Sequence, residues 1–562
     1  MVPKDSLSWY EANLPARERK VRGHFSTPPL LVEQILDACG YCAEHDLSHL
    51  RILDPACGSG NFLAGVAHRL IASGRRRHLG QASLLAAVQR NIWGFDPDPV
   101  ACFLAEMQLR AVLAEEIVHR GGVRKLLSKE TSSRATKNEC LPLHIHQADG
   151  LAFPWGQSES VDLFLANPPY LASKNSDLSG YSFAQRRGQA DSYLLFLNLA
   201  LQVVRPGGWI GLVLPDPVLA RTNAAKERQR LLEGTTVHHL WHLSGVFSAY
   251  VGAVVIIAQK HPPSHLHQIS WVRKKWIRDG GAQSIVPTSG SEDLQILATA
   301  APRAHFIAQA ALLRQPGSEL RYLLSEVRGT LIERLHTSLS SPTAPHASRH
   351  FIRLGDLVSI RRGEELGKES PLLAETRPVD GQDWYPVLRG GVDVRPYERP
   401  MGQRWIAHNH VSKSLDRYLA PKLLVVKSTG SLQATLDLQG HVVLQTLYLL
   451  NLWTSGSEDD LYFLLALLNS RLLREYMYTL HTAYKWVQPQ IEQHVLVHLP
   501  VPTIDIAEKK QIIEQAKLLN QACSEQPFVV EFERQHKEML QKQERAICQL
   551  YATALQERTV ED

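Results

Sequence analysis

The residues best suited to chemistry lie in four short stretches near the start of the chain. Asp54-Pro55-Ala56-Cys57-Gly58-Ser59-Gly60-Asn61 follows the apolar run Arg51 to Leu53. Gly58 and Gly60 let the backbone turn tightly and a ligand approach it, while Asp54 offers a carboxylate to a cationic or hydroxyl group. Two such glycines are equally a plain tight turn, so the weight falls on what accompanies them. Asp96, in Gly94-Phe95-Asp96-Pro97, stands at the next strand end, where a carboxylate can grip two ribose hydroxyls; the plainer alternative is a helix N-cap before Pro97. It comes 42 residues after Asp54, against about 20 in a compact dinucleotide fingerprint. That interval requires an extended helical region, with Gly74-Arg75-Arg76-Arg77 as a surface loop in it. Asp149, in Gln147-Ala148-Asp149-Gly150, is a third acid behind a short apolar run.

The fourth stretch is Asn167-Pro168-Pro169-Tyr170, directly after Val161 to Ala166. Two prolines fix an extended backbone without N–H donors, so Asn167 and the Pro168 carbonyl present acceptors in a rigid setting. Acceptors of this kind suit an NH₂ group on a flat ring, whose lone pair is delocalised and poorly nucleophilic. Gripping its hydrogens favours a pyramidal nitrogen and aims the lone pair at an electrophile. Tyr170 supplies a π-face for the ring.

The elements that must hold these residues alternate. Thr27-Pro28 reads as a helix start, with Leu31, Ile35 and Cys39 following at helical spacing. Strands are expected at Arg51–Leu53, Ile92–Phe95, Leu143–His146, Val161–Ala166, Trp209–Leu214 and Ala253–Ala258, with helices such as Ala101–Ile117 between them. Asp191 reads as the cap of a helix that stops at Arg205-Pro206-Gly207-Gly208. This alternation predicts an α/β fold with a parallel sheet covered by helices on both faces.

In order along the chain, these motifs resemble the S-adenosylmethionine-dependent amino-methyltransferases, most closely the gamma-class, TaqI-like DNA adenine-N6 methyltransferases of restriction-modification systems. The resemblance implies a Rossmann-like methyltransferase sheet, S-adenosylmethionine as cofactor and double-stranded DNA as partner. Gly23 to Val32 looks like the family's N-terminal cofactor motif, so Thr27, Asp54, Ala56, Gly58, Gly60, Asp96, Asp149 and Asn167 form the implied cofactor-binding set. Asn167, Pro168, Pro169 and Tyr170 form the implied catalytic motif, and Tyr170 and Phe247 the pair that sandwiches a base flipped from the duplex.

The stretch Ser338 to His350 reads as a linker, after which short strands and turns indicate a mixed α+β domain. Leu354 to Gly363, Tyr385 to Gly391, the Lys427 strand and Asn469 to Tyr476 resemble the target-recognition domain of the same enzymes. Arg361, Arg362, Arg389, Lys427 and Lys485, interleaved with Trp384, Tyr385, Tyr484 and Trp486, are the candidate DNA contacts. The expected domains are 1–260 for methyl transfer, 261–350 as connecting region and linker, 351–505 for target recognition and 506–562 as C-terminal helices. In that last segment Ile512, Ala516, Leu519, Cys523, Phe532, Met539, Ile547 and Leu550 recur at amphipathic spacing, suited to internal packing, dimerisation or a partner.

Composition is permissive rather than decisive. Over 562 residues, 61 Lys and Arg against 56 Asp and Glu give +5, a mild basic excess that permits an anionic partner. Seven cysteines without regular spacing argue for a reducing compartment. No secretory signal or membrane span is visible, and the family resemblance implies a bacterial or archaeal cytoplasmic, nucleoid-associated enzyme. Cys39, Cys42 and His45 lack a second pair of ligands, so no metal is expected. Glu364, Glu365 and Lys368 lack nuclease spacing and read as surface charges. Three alternatives stay open. A protein glutamine methyltransferase faces the same flat amide but is shorter, a cytosine-N4 methyltransferase more often opens its motif with Ser, and a non-catalytic DNA-binding defence component would not need the intact acids. The recognition sequence, the strands modified, the oligomeric state and any restriction or defence partner subunit are not encoded legibly.

Overall fold

The computed structural model describes residues 26–119, 142–152, 160–170, 191–246, 252–279, 282–287, 305–340, 350–453, 456–485, 489–503, 506–525 and 536–556. The chain divides into two compact units, Met1–Tyr322 and Leu323–Asp562. No helix of the described residues is long and apolar enough to cross a membrane.

In the first unit, short apolar runs bounded by Asp, Pro and Gly become strands. These are β1 (Ile52–Asp54), β2 (Ile92–Asp96), β3 (His144–Gln147), β4 (Val161–Ala166) and β5 (Val204–Pro215). They pair in parallel in the order β3-β2-β1-β4-β5. α1 (Pro29–Ala38) precedes β1, α2 (Asn61–Arg76) and α3 (Gln81–Asn91) join β1 to β2, α4 (Pro99–His119) follows β2, and α5 (Ser192–Val203) runs into β5. In α2 the apolar side chains Phe62, Leu63, Val66, Ala67, Leu70 and Ile71 recur once per turn and are buried in one core with Leu31, Ile35 and Leu163. The strand order reverses between β1 and β4, and in open α/β sheets ligands bind outside the carboxyl ends of the strands at that point.

Beyond β5 and α6 (Ala225–Gly234) the sheet is no longer purely parallel. β7 (Ala253–Gln259) lies between β5 and β6 (Thr236–Ser244), antiparallel to both. The connection from Gly245 to Gly252 is shorter than the dozen or so residues a parallel crossover needs, so β7 returns beside β6 as a hairpin. β8 (Gln268–Asp279) pairs parallel with β6 and carries β9 (Ala282–Pro287) and β10 (His305–Ala308) as antiparallel neighbours. Among the described residues the sheet has ten strands.

Several local expectations change. Pro28, not Thr27, is the N-cap of α1, and no side chain caps it. Gly74, Arg75 and Arg76 belong to α2, because Gly74 packs against Leu84 of α3, where a Cβ would meet Leu84 Cδ2 at 2.1 Å. α3 is the element that fills the long interval between Asp54 and Asp96. α5 ends at Val203 and Arg205 to Gly208 lie within β5, with Gly207 at φ 78° taking the turn. Asp191 is the N-cap of α5 but makes no side-chain cap; its carboxylate pairs with Arg221 at 2.9 Å.

The interval 261–350 is not a connector. It supplies β8 to β10 to the first sheet, and α7 (Leu331–Ser340) to the core of the second unit, where Leu335 is fully buried. The signal is weak because, among the residues of β8 whose burial is described, only the alternate Ile269 and Trp271 are apolar and buried. Of the expected linker, Ser338 to Ser340 finish α7 and residues 341–349 lie outside the described residues.

The second unit is mixed α+β. β12 (Val358–Arg362), β18 (Leu447–Leu452), β15 (Lys422–Val426) and β16 (Ala434–Asp437) form one sheet. β14 (Arg404–Ala407), β13 (Trp384–Leu388) and β17 (Val442–Val443) form another, and β11 (Phe351–Arg353) pairs with β19 (Pro500–Pro502). The helix expected over Tyr462 to Tyr478 is two, α8 (Glu458–Asn469) and α9 (Arg471–Leu480), because Ser470 leaves the helix and its hydroxyl accepts the Leu473 N–H at 3.2 Å. α10 (Ile506–Glu525) and α11 (Lys537–Gln556) pack internally. Ile512, Ala516, Leu519, Cys523, Ile547 and Leu550 are buried in one core with α7 and α8, and Met539 lies partly buried against it. Phe532 lies outside the described residues.

Candidate active site

Four of the predicted positions fall at the carboxyl edge of adjacent parallel strands. Asp54 closes β1 and Asp96 closes β2, both almost fully buried; Asp149 follows β3 and Asn167 follows β4, both half-buried. The glycine turn is tied to its neighbours by its own backbone. Gly58 N–H donates to Asp96 Oδ2 at 3.0 Å, Asp98 N–H to Asp96 Oδ1 at 2.8 Å, and Ala56 N–H to Asp54 Oδ1 at 3.1 Å. Gly58 and Gly60 have φ of +53° and +93°, where side chains are disfavoured. A Cβ on Gly60 would strike Ala105 of α4 at 2.8 Å, whereas one on Gly58 would meet nothing within 4 Å. Gly60 therefore serves close helix packing and Gly58 faces open space.

Burial pushes the Asp54 carboxyl up to about 8, the charge of Asp96 adds to this, and the Ala56 N–H opposes it. A carboxyl so placed ionises readily only when a cation or further donors join it. Thr27 is buried, and its carbonyl accepts from Asn61 Nδ2 at 2.8 Å, while Gln108 Nε2 donates to Asn61 Oδ1 at 3.0 Å. That chain of bonds fastens the segment before α1 to the start of α2. Asp149 Oδ1 accepts the Leu151 N–H at 2.9 Å, which shapes its own turn, and a Cβ on Gly150 would come 2.2 Å from the Pro55 carbonyl oxygen. Gly150 thus lets the third acidic loop close onto the glycine turn. The Asp-Gly pair was the signal for it.

At the end of β4, the Tyr170 hydroxyl lies 3.2 Å from Asn167 Oδ1 and 3.5 Å from the Val213 carbonyl of β5. Ser192, first residue of α5, donates its hydroxyl to the Pro169 carbonyl. Both ends of Asn167-Pro168-Pro169-Tyr170 are thereby held, and burial, with the Asp216 charge second, keeps the Tyr170 phenol well above its ordinary pKa. Phe247 lies outside the described residues. Asp216 was missed in the sequence, although Asp216-Pro217 after β5 repeats the pattern of Asp54-Pro55 and Asp96-Pro97.

In the second unit the five basic candidates separate. Arg361 and Arg362 are exposed at the end of β12, and Lys427 follows β15. Burial, and then the Arg362 charge, hold the Lys427 ammonium below the usual lysine value, and β12 and β15 flank β18, with Arg362 and Val425 both paired to Tyr448. Arg389 is buried, donating to Asp393 from Nε at 2.9 Å and Nη2 at 3.1 Å, and is committed to that loop. Lys485 pairs with Glu492. Tyr484 is a core residue at 1% exposure, Trp384 and Tyr385 are half-buried, and Trp486 lies outside the described residues. Glu364 is not a surface charge. At 2% exposure its carboxylate accepts from Ser412 N–H and Oγ–H, Lys413 N–H and Tyr418 O–H, fixing the loop before β15.

Comparison with known proteins follows the same division. Residues 90–247 match the Eco57I restriction-modification methylase family, and residues 385–501 match the TaqI-like C-terminal specificity domain. The chain is 26% identical over 228 residues to the type II methyltransferase M.BstVI of Geobacillus stearothermophilus, which covers 39% of this chain and 38% of that protein. It is 28% identical over 203 residues to the type II methyltransferase M.XhoI of Xanthomonas vasicola, covering 35% and 34%. The matches thus span little more than a third of these relatives. The solved structure of the type IIL restriction-modification enzyme MmeI in complex with DNA aligns over 98% of this chain and 78% of that one, with a TM-score of 0.59 at 12% identity. The fold is therefore that of restriction-modification methyltransferases, as the motifs implied.

Proposed function

We propose that this chain is a site-specific DNA methyltransferase that moves a methyl group from S-adenosylmethionine to the N6 amine of an adenine flipped out of duplex DNA. The observation that carries this reading is Asn167-Pro168-Pro169-Tyr170, clamped at the strand-order reversal beside a glycine turn with open space in front of it. The donor set fits the cofactor. Asp54 would meet its cationic methionyl end, Asp96, oriented by backbone N–H groups of Gly58 and Asp98, would meet ribose hydroxyls, and Asp149 stands one strand further along, toward the adenine. Thr27, Ala56, Gly58 and Gly60 would line the same pocket. The cofactor, when bound, supplies an electrophilic methyl on a sulfonium.

The protein's own part is to bind, orient and exclude water. Asn167 Oδ1 and the Pro168 carbonyl would accept the two amine hydrogens and turn the nitrogen lone pair toward the methyl group. Tyr170 would carry the base on its ring while its hydroxyl holds Asn167 in place, and Phe247 would cover the other face. The likeness of residues 385–501 to a specificity domain supports DNA rather than a protein amide as substrate. The leading Asn supports adenine over cytosine. Arg361, Arg362 and Lys427 would meet phosphates. A restriction or defence partner subunit would act on the same sites.

Single-molecule sequencing of DNA from a methylation-free host tests this reading. The chain should leave modified adenines in one sequence motif, and Asn167→Ala should leave none while still binding S-adenosylmethionine by calorimetry. Unmodified DNA from the wild-type strain, or cytosine modification, would refute it.

A further inference from the structure

Four of the five adjacent parallel strands end on an Asx-Pro pair: Asp54-Pro55, Asp96-Pro97, Asn167-Pro168 and Asp216-Pro217. The proline withholds its own N–H, so each carboxyl or carboxamide stands just at or past a strand's end, and Asp216 opens a short 3₁₀ turn, Asp216–Leu219, directly after β5. The proposed function accounts for the first three. Asp216 is unassigned, yet it directly follows β5, the strand paired with β4, and the Val213 carbonyl of β5 lies 3.5 Å from the Tyr170 hydroxyl.

Asp216 is a built position rather than a surface acid. It is 5% exposed, and its N–H donates to the Gly252 carbonyl at 2.9 Å. Its Oδ2 lies 3.9 Å from His242 Nε2, and His242 Nδ1 is 2.7 Å from the Tyr322 hydroxyl. His242 is fully buried on β6, with Arg273 of β8 in register beside it. A Cβ at Gly252 would fall 2.7 Å from Asp216 Oδ2 and 3.4 Å from His242 Nε2, so only glycine at the start of β7 leaves room for the pair. Burial holds the His242 imidazole below its ordinary pKa, and its ring fills the space beside the Asp216 carboxylate. After burial, it is the Asp216 charge that raises the Tyr170 phenol.

We infer that Asp216, braced by His242 and Tyr322, is a positioning and charge-stabilising residue for methyl transfer at Asn167-Pro168-Pro169-Tyr170. This rests on the function proposed above. In that reaction the N–C bond forms as the S–C bond breaks, the cofactor leaves as a neutral thioether, and the positive charge passes to the amine until one N–H proton departs to water. A carboxylate fixed at the neighbouring strand end, set in place before the reaction, favours that charge where it arrives.

The test is single-turnover methyl transfer by the full chain, with tritiated S-adenosylmethionine and genomic DNA from a methylation-free host, both saturating. Asp216→Asn should slow transfer about 100-fold with cofactor affinity unchanged within about twofold, and Asp216→Glu should recover part of the rate. His242→Gln, which keeps the carboxylate but loosens its brace, should fall between. Rates for Asp216→Asn within threefold of the wild type, or equal losses in rate and cofactor affinity across all three variants, would overturn the role of Asp216 alone. A wild type that transfers no methyl to DNA would overturn the proposed function and this inference with it.

Discussion

Asp54 shows how a single carboxyl can trade stability for binding. Folded, it keeps its proton up to about 8; unfolded, it would lose it near the ordinary value of about 3.9. Between those values the folded state holds the extra proton, so stability falls as pH rises through that window, by at most about 1.4 kcal/mol per unit. Asp54→Asn removes this penalty. Its melting temperature should match the wild type near pH 4 and exceed it progressively toward pH 8, while its affinity for S-adenosylmethionine drops at least tenfold. Parallel melting curves for the two proteins across that range would show that Asp54 is not the group that titrates. The carboxyl itself was legible in the sequence as a strand-end acid. Its burial was not, because β2 pairs with it at Gly94 and the loop after β3 closes onto Pro55, contacts that only the fold brings together.

At the scale of elements, the loops matter as much as the strands that carry them. Gly150 allows the loop after β3 to rest on Pro55, and a methyl group there would overlap the Pro55 carbonyl. Gly150→Ala should therefore destabilise the first unit by about 1–3 kcal/mol and weaken cofactor binding in step, as chemical denaturation and calorimetry would report. Glu364 does the same work in the second unit. Glu364→Ala strands four donors, two of them backbone N–H groups, and should cost about 2–4 kcal/mol; denaturation within about 0.5 kcal/mol of the wild type would contradict the buried assignment. Both features mark the limit of reading elements from a pattern. β4 was bounded correctly because Val161 to Ala166 is apolar and closed by Asn-Pro. α3 escaped notice since Gln81 to Asn91 buries only Leu84, Ala87, Val88 and Asn91, and β8 because its alternating polar face resembles a loop. Glu364 reads as a surface charge in the sequence since its partners, Ser412, Lys413 and Tyr418, lie some fifty residues away.

For the whole molecule, the net charge of +5 says little about DNA, because an acid-lined sheet edge in one unit and exposed arginines in the other are summed in it. What decides electrostatic affinity is which cations remain available to phosphates. Burial, and then the Arg362 charge, disfavour the charge of Lys427, a cost that an anion bound there would relieve. Arg389 is already neutralised by Asp393. Binding of the full chain to a duplex without its recognition sequence, followed by fluorescence anisotropy over a salt series, separates the two classes. Each phosphate contact contributes about −0.9 to the slope of log affinity against log salt. Lys427→Ala and Arg362→Ala should each make the slope shallower by about one and weaken all sequences alike. Arg389→Ala should leave the slope unchanged and instead lower the melting temperature, since it strands Asp393 inside the second unit. A slope unaffected by Lys427→Ala, or altered most by Arg389→Ala, would mean that DNA meets a different face of that unit from the one where β12 and β15 end.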